Sequence, residues 1–188
     1  MAPFVGLTGG LGAGKSEALR ILEELGASTL STDAVVHELL ATDGVQRALT
    51  ERFGADVASD RALIAERVFG DEGERAWLEG LLWPLVGKRV AAWRSSLPAD
   101  RVAIVEVPLL FESGMEAVFD ATIAVVSEEA IREQRAAARG HAAVAERAGR
   151  QLSQEQKAER ADFTVRNDGS LDELKQTLSH VLEKIEPR

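Results

Sequence analysis

The stretch Gly9-Gly10-Leu11-Gly12-Ala13-Gly14-Lys15-Ser16 restricts what this chain can fold into more than any other part of it. It fits the pattern G-x-x-x-x-G-K-[S/T], which is informative when a strand precedes it and a helix follows. Both flanks are legible. Phe4-Val5-Gly6-Leu7-Thr8 is the short apolar run of a buried strand. Ala18, Leu19, Ile21, Leu22 and Leu25 recur at the spacing of one helix face. The glycines let the backbone curl until successive N–H groups point inward and form an anion nest. A helix starting there adds the positive end of its dipole. Lys15 offers a mobile cation for outer phosphates, and Ser16 offers a hydroxyl for Mg²⁺. The sequence therefore predicts that Gly9, Gly10, Leu11, Gly12, Ala13, Gly14, Lys15 and Ser16 cradle nucleotide phosphates, with Ser16 as the metal ligand.

The rest of the chain alternates in the same way. Ser28–Ser31, Arg101–Val107, Thr122–Val126 and Phe163–Arg166 read as strands, separated by helical periodicity. Such alternation predicts an α/β fold with a parallel sheet, buried on both faces. Between Asp33 and about Leu97 the pattern is helical, with breaks near Gly44, Gly54 to Asp60 and Gly70 to Gly73; this block reads as an inserted helical lobe. Pro84 implies a kink or a helix start within it. In parallel sheets ligands gather beyond the carboxyl ends of the strands. The phosphate loop, Asp33 and the loop at Pro108 all follow predicted strands, so they should converge on one crevice. Asp33 suits a catalytic base there, and it equally suits a helix N-cap.

At 188 residues the chain can bury one good core with one or two inserted lobes. It has no cysteine, which excludes disulfides and thiolate chemistry. His37, His141 and His180 lie too far apart to show metal-ligand spacing. The chain has no apolar run of bilayer length and no signal-peptide pattern at its start, so the expectation is a soluble cytoplasmic protein without membrane partners. The net charge of −9 argues against nucleic acid as a partner. Against that balance, Arg132, Arg135, Arg139, Arg147, Arg150, Lys157 and Arg160 share their stretch with only Glu133, Glu146, Glu155 and Glu159. Either the segment handles an anionic ligand, or it is a solvated face of Glu–Arg pairs.

Taken in order, these residues resemble the dephospho-coenzyme A kinase family. The likeness runs nearly end to end. It rests on Val5–Ser16, on Asp33 after the second strand, and on Pro108-Leu109-Leu110-Phe111-Glu112. Gln134-Arg135, Arg139-Gly140, Gln151, Lys157 and Ala161-Asp162 followed by Asn167 complete it. The resemblance implies a single phosphate-loop kinase domain over 1–188. Its core would span 1–33, 101–131 and 161–188, with an acceptor lobe over 34–100 and a lid over 132–160. It implies transfer of the γ-phosphate of ATP to the ribose 3′-hydroxyl of dephospho-coenzyme A, with Mg²⁺. Asp33, Lys15, Arg135 and Arg139 would be catalytic. Asn167 would lie near the adenine, and Asp33, His37, Pro108 and Leu109 would meet the acceptor. Four positions depart from the family pattern: Glu17, Ser31, Trp83 and Glu106. Trp83 replaces a smaller polar ring and is expected to pack within the acceptor lobe. Another small-molecule or nucleotide kinase, or a nucleotide-binding switch, would share the phosphate loop but not the ordered set.

Overall fold

A computed structural model describes residues 2–137 and 151–185 of the chain. The described residues divide into two compact units, Met1–Ser31 with Leu97–Arg188, and Thr32–Ser96.

The first unit is built on a parallel sheet. Its strands are β1 (Phe4–Gly9), β2 (Ser28–Ser31), β3 (Ala103–Glu106), β4 (Ala121–Val126) and β5 (Phe163–Arg166), side by side in the order β2-β3-β1-β4-β5. β1 is central and buried along its whole length. Its register pairs Val5 with Ile104 of β3 and Leu7 with Ile123 of β4, while Val125 of β4 pairs with Val165 of β5. Residues paired in register share a face, so these apolar side chains form one continuous wall. Helix α1 (Lys15–Glu24) and the C-terminal helix (Leu171–Ile185) cover that wall with Ala18, Leu19, Ile21 and Leu22 from one and Leu174, Leu178, Val181 and Leu182 from the other. The opposite face carries Phe4 stacked on Phe119 with ring centroids 4.7 Å apart. Both faces are thus covered, which explains why the strands read as continuous apolar runs rather than alternating ones.

The second unit is helical throughout its described elements: α2 (Thr32–Leu40), α3 (Asp43–Phe53), α4 (Ala55–Ala58), α5 (Arg61–Phe69) and α6 (Glu72–Ser96). Arg52 bridges to Glu74 at 2.8 Å and lies over the Trp77 ring, which also meets Phe53 edge-on. The Gln46 amide donates to the carbonyls of Leu40 and Ala58, tying three helices together. The breaks expected near Gly44, from Gly54 to Asp60 and from Gly70 to Gly73 fall where α2 gives way to α3, around α4, and where α5 gives way to α6. Pro84 lies in the interior of α6, not at a helix start. Its missing N–H costs one intrahelical bond, a penalty of about 3 kcal/mol that a helix of 25 residues absorbs. Trp83 does not pack inward: it is 55% exposed, because its position on α6 faces away from the buried Leu82.

Leu22 is fully buried between the sheet and the C-terminal helix. Leu22→Ala should therefore lower unfolding stability by about 2–5 kcal/mol through lost burial and a residual cavity. Urea denaturation should show a reduced midpoint at unchanged slope.

Candidate active site

β1 leads directly into the glycine-rich loop, and α1 leaves it. The loop is closed by Ala13 N donating to the Gly10 carbonyl at 3.2 Å, and Ala18 N reaches back to Gly14 at 3.0 Å. Gly14 stands at φ +92°, in left-handed space, and Gly12 at φ +76°. Both positions are also sterically shut. A Cβ on Gly14 would lie 2.0 Å from Nδ2 of Asn167, and one on Gly12 would lie 2.6 Å from the Arg132 carbonyl oxygen. Lys15 folds over the loop, its Nζ donating to the Gly10 carbonyl at 3.1 Å, and Ser16 is exposed in the first turn of α1.

Around the loop lies a shell of polar contacts from distant parts of the chain. Asn167, just past β5, donates from Nδ2 to the Ala13 carbonyl at 2.9 Å. Its own carbonyl accepts from Ser127 Oγ at 3.0 Å and from Arg135 Nη1 at 3.1 Å. The side-chain amide of Asn167, the residue expected near the adenine, thus holds the loop. Arg132 and Arg135 project from α7 (Glu129–Ala137). Arg132 donates from Nε to the Leu11 carbonyl at 2.9 Å and pairs with Glu129 at 2.9 Å.

The loop after β3 completes the site's floor. Pro108 O accepts from Thr8 Oγ1 at 3.3 Å and from Lys157 Nζ at 2.7 Å. Leu109 is half-buried, and its carbonyl accepts from Ser113. Lys157 belongs to α8 (Gln154–Arg160), whose first turn is a full capping box made by Ser153 and Gln156. Its side chain is fully buried and meets Glu112 Oε1 at 2.9 Å. Burial pushes its ammonium below the usual lysine range, while the hydrogen bond and charge of Glu112 oppose that fall.

Two further expected residues belong to the helical unit. Asp33 and His37 sit on α2 in the helical unit, both exposed, with His37 Nδ1 accepting from Arg61. Asp33 is the second residue of α2, so it is not the N-cap; its carboxylate lies in the first turn, where the helix dipole favours it. Arg139 lies outside the described residues. Of the basic residues from Arg132 to Arg160 that are described, Arg132, Lys157 and Arg160 have carboxylate partners in Glu129, Glu112 and Glu116. Counting acids within the segment alone overstated its free positive charge, because these partners precede it in the chain. Sequence reading gave no role to Arg132, Ser127 or Gln154 at the loop.

The sequence profile of dephospho-CoA kinases matches residues 3–173. The chain belongs to the dephospho-CoA kinase family. It is therefore a kinase, a phosphotransferase of the family that phosphorylates dephospho-CoA with ATP in coenzyme A synthesis. A dephospho-CoA kinase of Mycolicibacterium paratuberculosis is 37% identical over 97% of this chain, and the chain spans 47% of that relative's length. One of Protochlamydia amoebophila is 37% identical over 96% of this chain and 95% of its own. A crystal structure of a Thermus thermophilus protein superposes with a TM-score of 0.83 at 31% identity, covering 97% of each chain.

Gly14→Ala should cost the loop both its left-handed turn and the Asn167 contact. A side chain in left-handed space costs about 1–2 kcal/mol before any clash is counted, so ATP affinity should fall by about tenfold or more. Nucleotide titration checks this, with an unchanged far-ultraviolet circular dichroism spectrum as the control.

Proposed function

We propose that this chain transfers the γ-phosphate of ATP to the ribose 3′-hydroxyl of dephospho-CoA, giving coenzyme A and ADP in the last step of coenzyme A synthesis. The family match over residues 3–173 carries the reading. The strand–loop–helix at Gly9–Ser16 supports it with a cradle suited to phosphates. Lys15 would exchange the Gly10 carbonyl for β- and γ-phosphate oxygens. Among the described residues no cluster of three or more His, Cys, Asp or Glu could hold a cation alone. That donor set fits a Mg²⁺ carried in on the nucleotide phosphates and taking one protein hydroxyl, that of Ser16. Such an ion supplies charge neutralisation on the phosphates.

The other roles follow from the chemistry of phosphoryl transfer, which needs positioning and charge stabilisation more than covalent steps. Asp33 would accept the proton of the acceptor hydroxyl. His37, Pro108 and Leu109 would lie on the acceptor's side, within a lobe over 34–100 and at the loop after β3. Arg135 would leave the Asn167 carbonyl to meet charge spreading on the transferring group, together with Arg139, in a lid over 132–160. Closing it would exclude water and suppress hydrolysis of ATP. Among the described residues no helix is long and apolar enough to cross a membrane, which agrees with work in the cytoplasm.

Two measurements test this. ADP release from Mg·ATP should rise sharply when dephospho-CoA is added and stay near background with nucleoside monophosphates; faster turnover of a nucleoside monophosphate refutes the acceptor. Asp33→Asn should bind Mg·ATP as the parent does, since the loop is untouched, and should melt at nearly the same temperature. Its kcat should fall by about 10²–10⁴-fold, the usual contribution of a general base. Parental turnover in a folded, ATP-binding variant would leave Asp33 as a helix-terminus residue only.

A further inference from the structure

Lys157 is an odd residue to find fully buried in a segment otherwise rich in exposed charge. Its ammonium has three protons and meets three acceptors: Pro108 O at 2.7 Å, Glu112 Oε1 at 2.9 Å and Thr8 Oγ1 at 3.4 Å. Thr8 in turn donates to the same Pro108 carbonyl at 3.3 Å, closing a triangle. Two of its corners belong to different strands. Thr8 lies near the carboxyl end of β1, immediately before the phosphate loop, and Pro108 lies just beyond β3. The Glu112 carboxylate extends the set by accepting the Leu152 N–H at 2.8 Å.

The same helix face makes two further ties. One turn before Lys157, Gln154 holds both backbone groups of Ser127, accepting from its N–H at 2.9 Å and donating to its carbonyl at 2.7 Å. One turn after it, Arg160 lies over the Phe111 ring at 4.8 Å and pairs with Glu116. Helix α8 therefore grips the 108–116 segment at several points, with Lys157 innermost.

A buried ion pair is seldom the cheapest way to fill space. Apolar residues of similar volume often match or exceed its stability. Here the pair is imperfect as well, since Glu112 Oε2 is buried without a hydrogen-bond partner among the described residues. What an ammonium does and a methyl group cannot is fix a particular carbonyl in place. We propose that Lys157 is a positioning residue for phosphoryl transfer: through Pro108 O and Thr8 it sets the turn that would meet the acceptor against the strand that carries the phosphate loop. This rests on the kinase reading above and adds a residue that touches neither nucleotide nor acceptor.

The test replaces the pair rather than breaking it. In the double variant Lys157→Met/Glu112→Gln, two unbranched neutral side chains fill the same volume, and the Gln carbonyl oxygen can still accept the Leu152 N–H. Its melting temperature should equal or exceed the parent's, and Mg·ATP should titrate within about twofold. The kcat/KM for dephospho-CoA should nevertheless fall by about 10²-fold, the order expected when a reacting partner is misplaced by about an ångström. A stable double variant with parental kcat/KM overturns the proposal, as does one in which the ATP affinity and kcat/KM fall together. Should that variant not fold, Lys157→Arg keeps the charge but replaces the single ammonium donor with a wide fork. It should show the same split between acceptor and nucleotide, and parental constants for both would overturn the proposal. If the parent protein releases no ADP with dephospho-CoA, the kinase reading itself falls and takes this inference with it. A parent that is active beside an equally active variant removes the inference alone.

Discussion

Parallel pairing of β1 on both of its edges is the constraint on which the phosphate-loop unit depends. β3 on one side and β4 on the other fix its register and leave it no open edge, while the packing on the two sides of the sheet buries its faces. Because the strands run the same way, the ends of β1, β3 and β4 emerge at one edge. The glycine loop, the Pro108 turn and the Ser127 stem are adjacent for that reason. A parallel pair cannot be closed by a tight hairpin, so every strand must be followed by a long crossover. The chain uses one of those crossovers, after β2, to house an entire helical unit.

The loop is held chiefly by its own backbone groups and by neighbours that reach them. Ala13 O is taken by Asn167, Leu11 O by Arg132 and Gly10 O by Lys15. These three carbonyls are satisfied, which holds the loop's backbone in its curled shape before an anion arrives. The arrangement also gives the arginines of α7 partners on backbone oxygens, with Arg132 keeping Glu129 as well.

Much of this was legible beforehand. β2 and β5 fall where the sequence put them, and β1, β3 and β4 differ by one or two residues at their ends, because apolar runs and glycine punctuation are local signals. The phosphate loop was legible for the same reason. Pro84 was only half legible, because a long helix tolerates one missing bond that would end a short one. Trp83 was misjudged because hydrophobicity says nothing about which way one helix face turns. Lys157 and Arg160 were read as part of a basic segment that either handles an anionic ligand or forms a solvated face of Glu–Arg pairs. Their partners lie far earlier in the chain, and neither periodicity nor composition carries such pairings. The site residues on α2 and those on the loop sit in separate units, so sequence order alone relates them.

The ties at Ser127 and Leu152 have one more consequence. Gln154 holds Ser127, and Glu112 holds the Leu152 amide, so the two points where the chain leaves and rejoins the sheet around residues 128–151 are pinned to the same unit. Closing a loop between fixed ends grows only slowly in entropic cost with its length, by about 0.6 kcal/mol for each doubling. Chain entropy therefore sets little limit on the number of residues between α7 and Leu152. Composition is constrained at the start of the stretch, where Arg132 and Arg135 on α7 hold the Leu11 and Asn167 carbonyls.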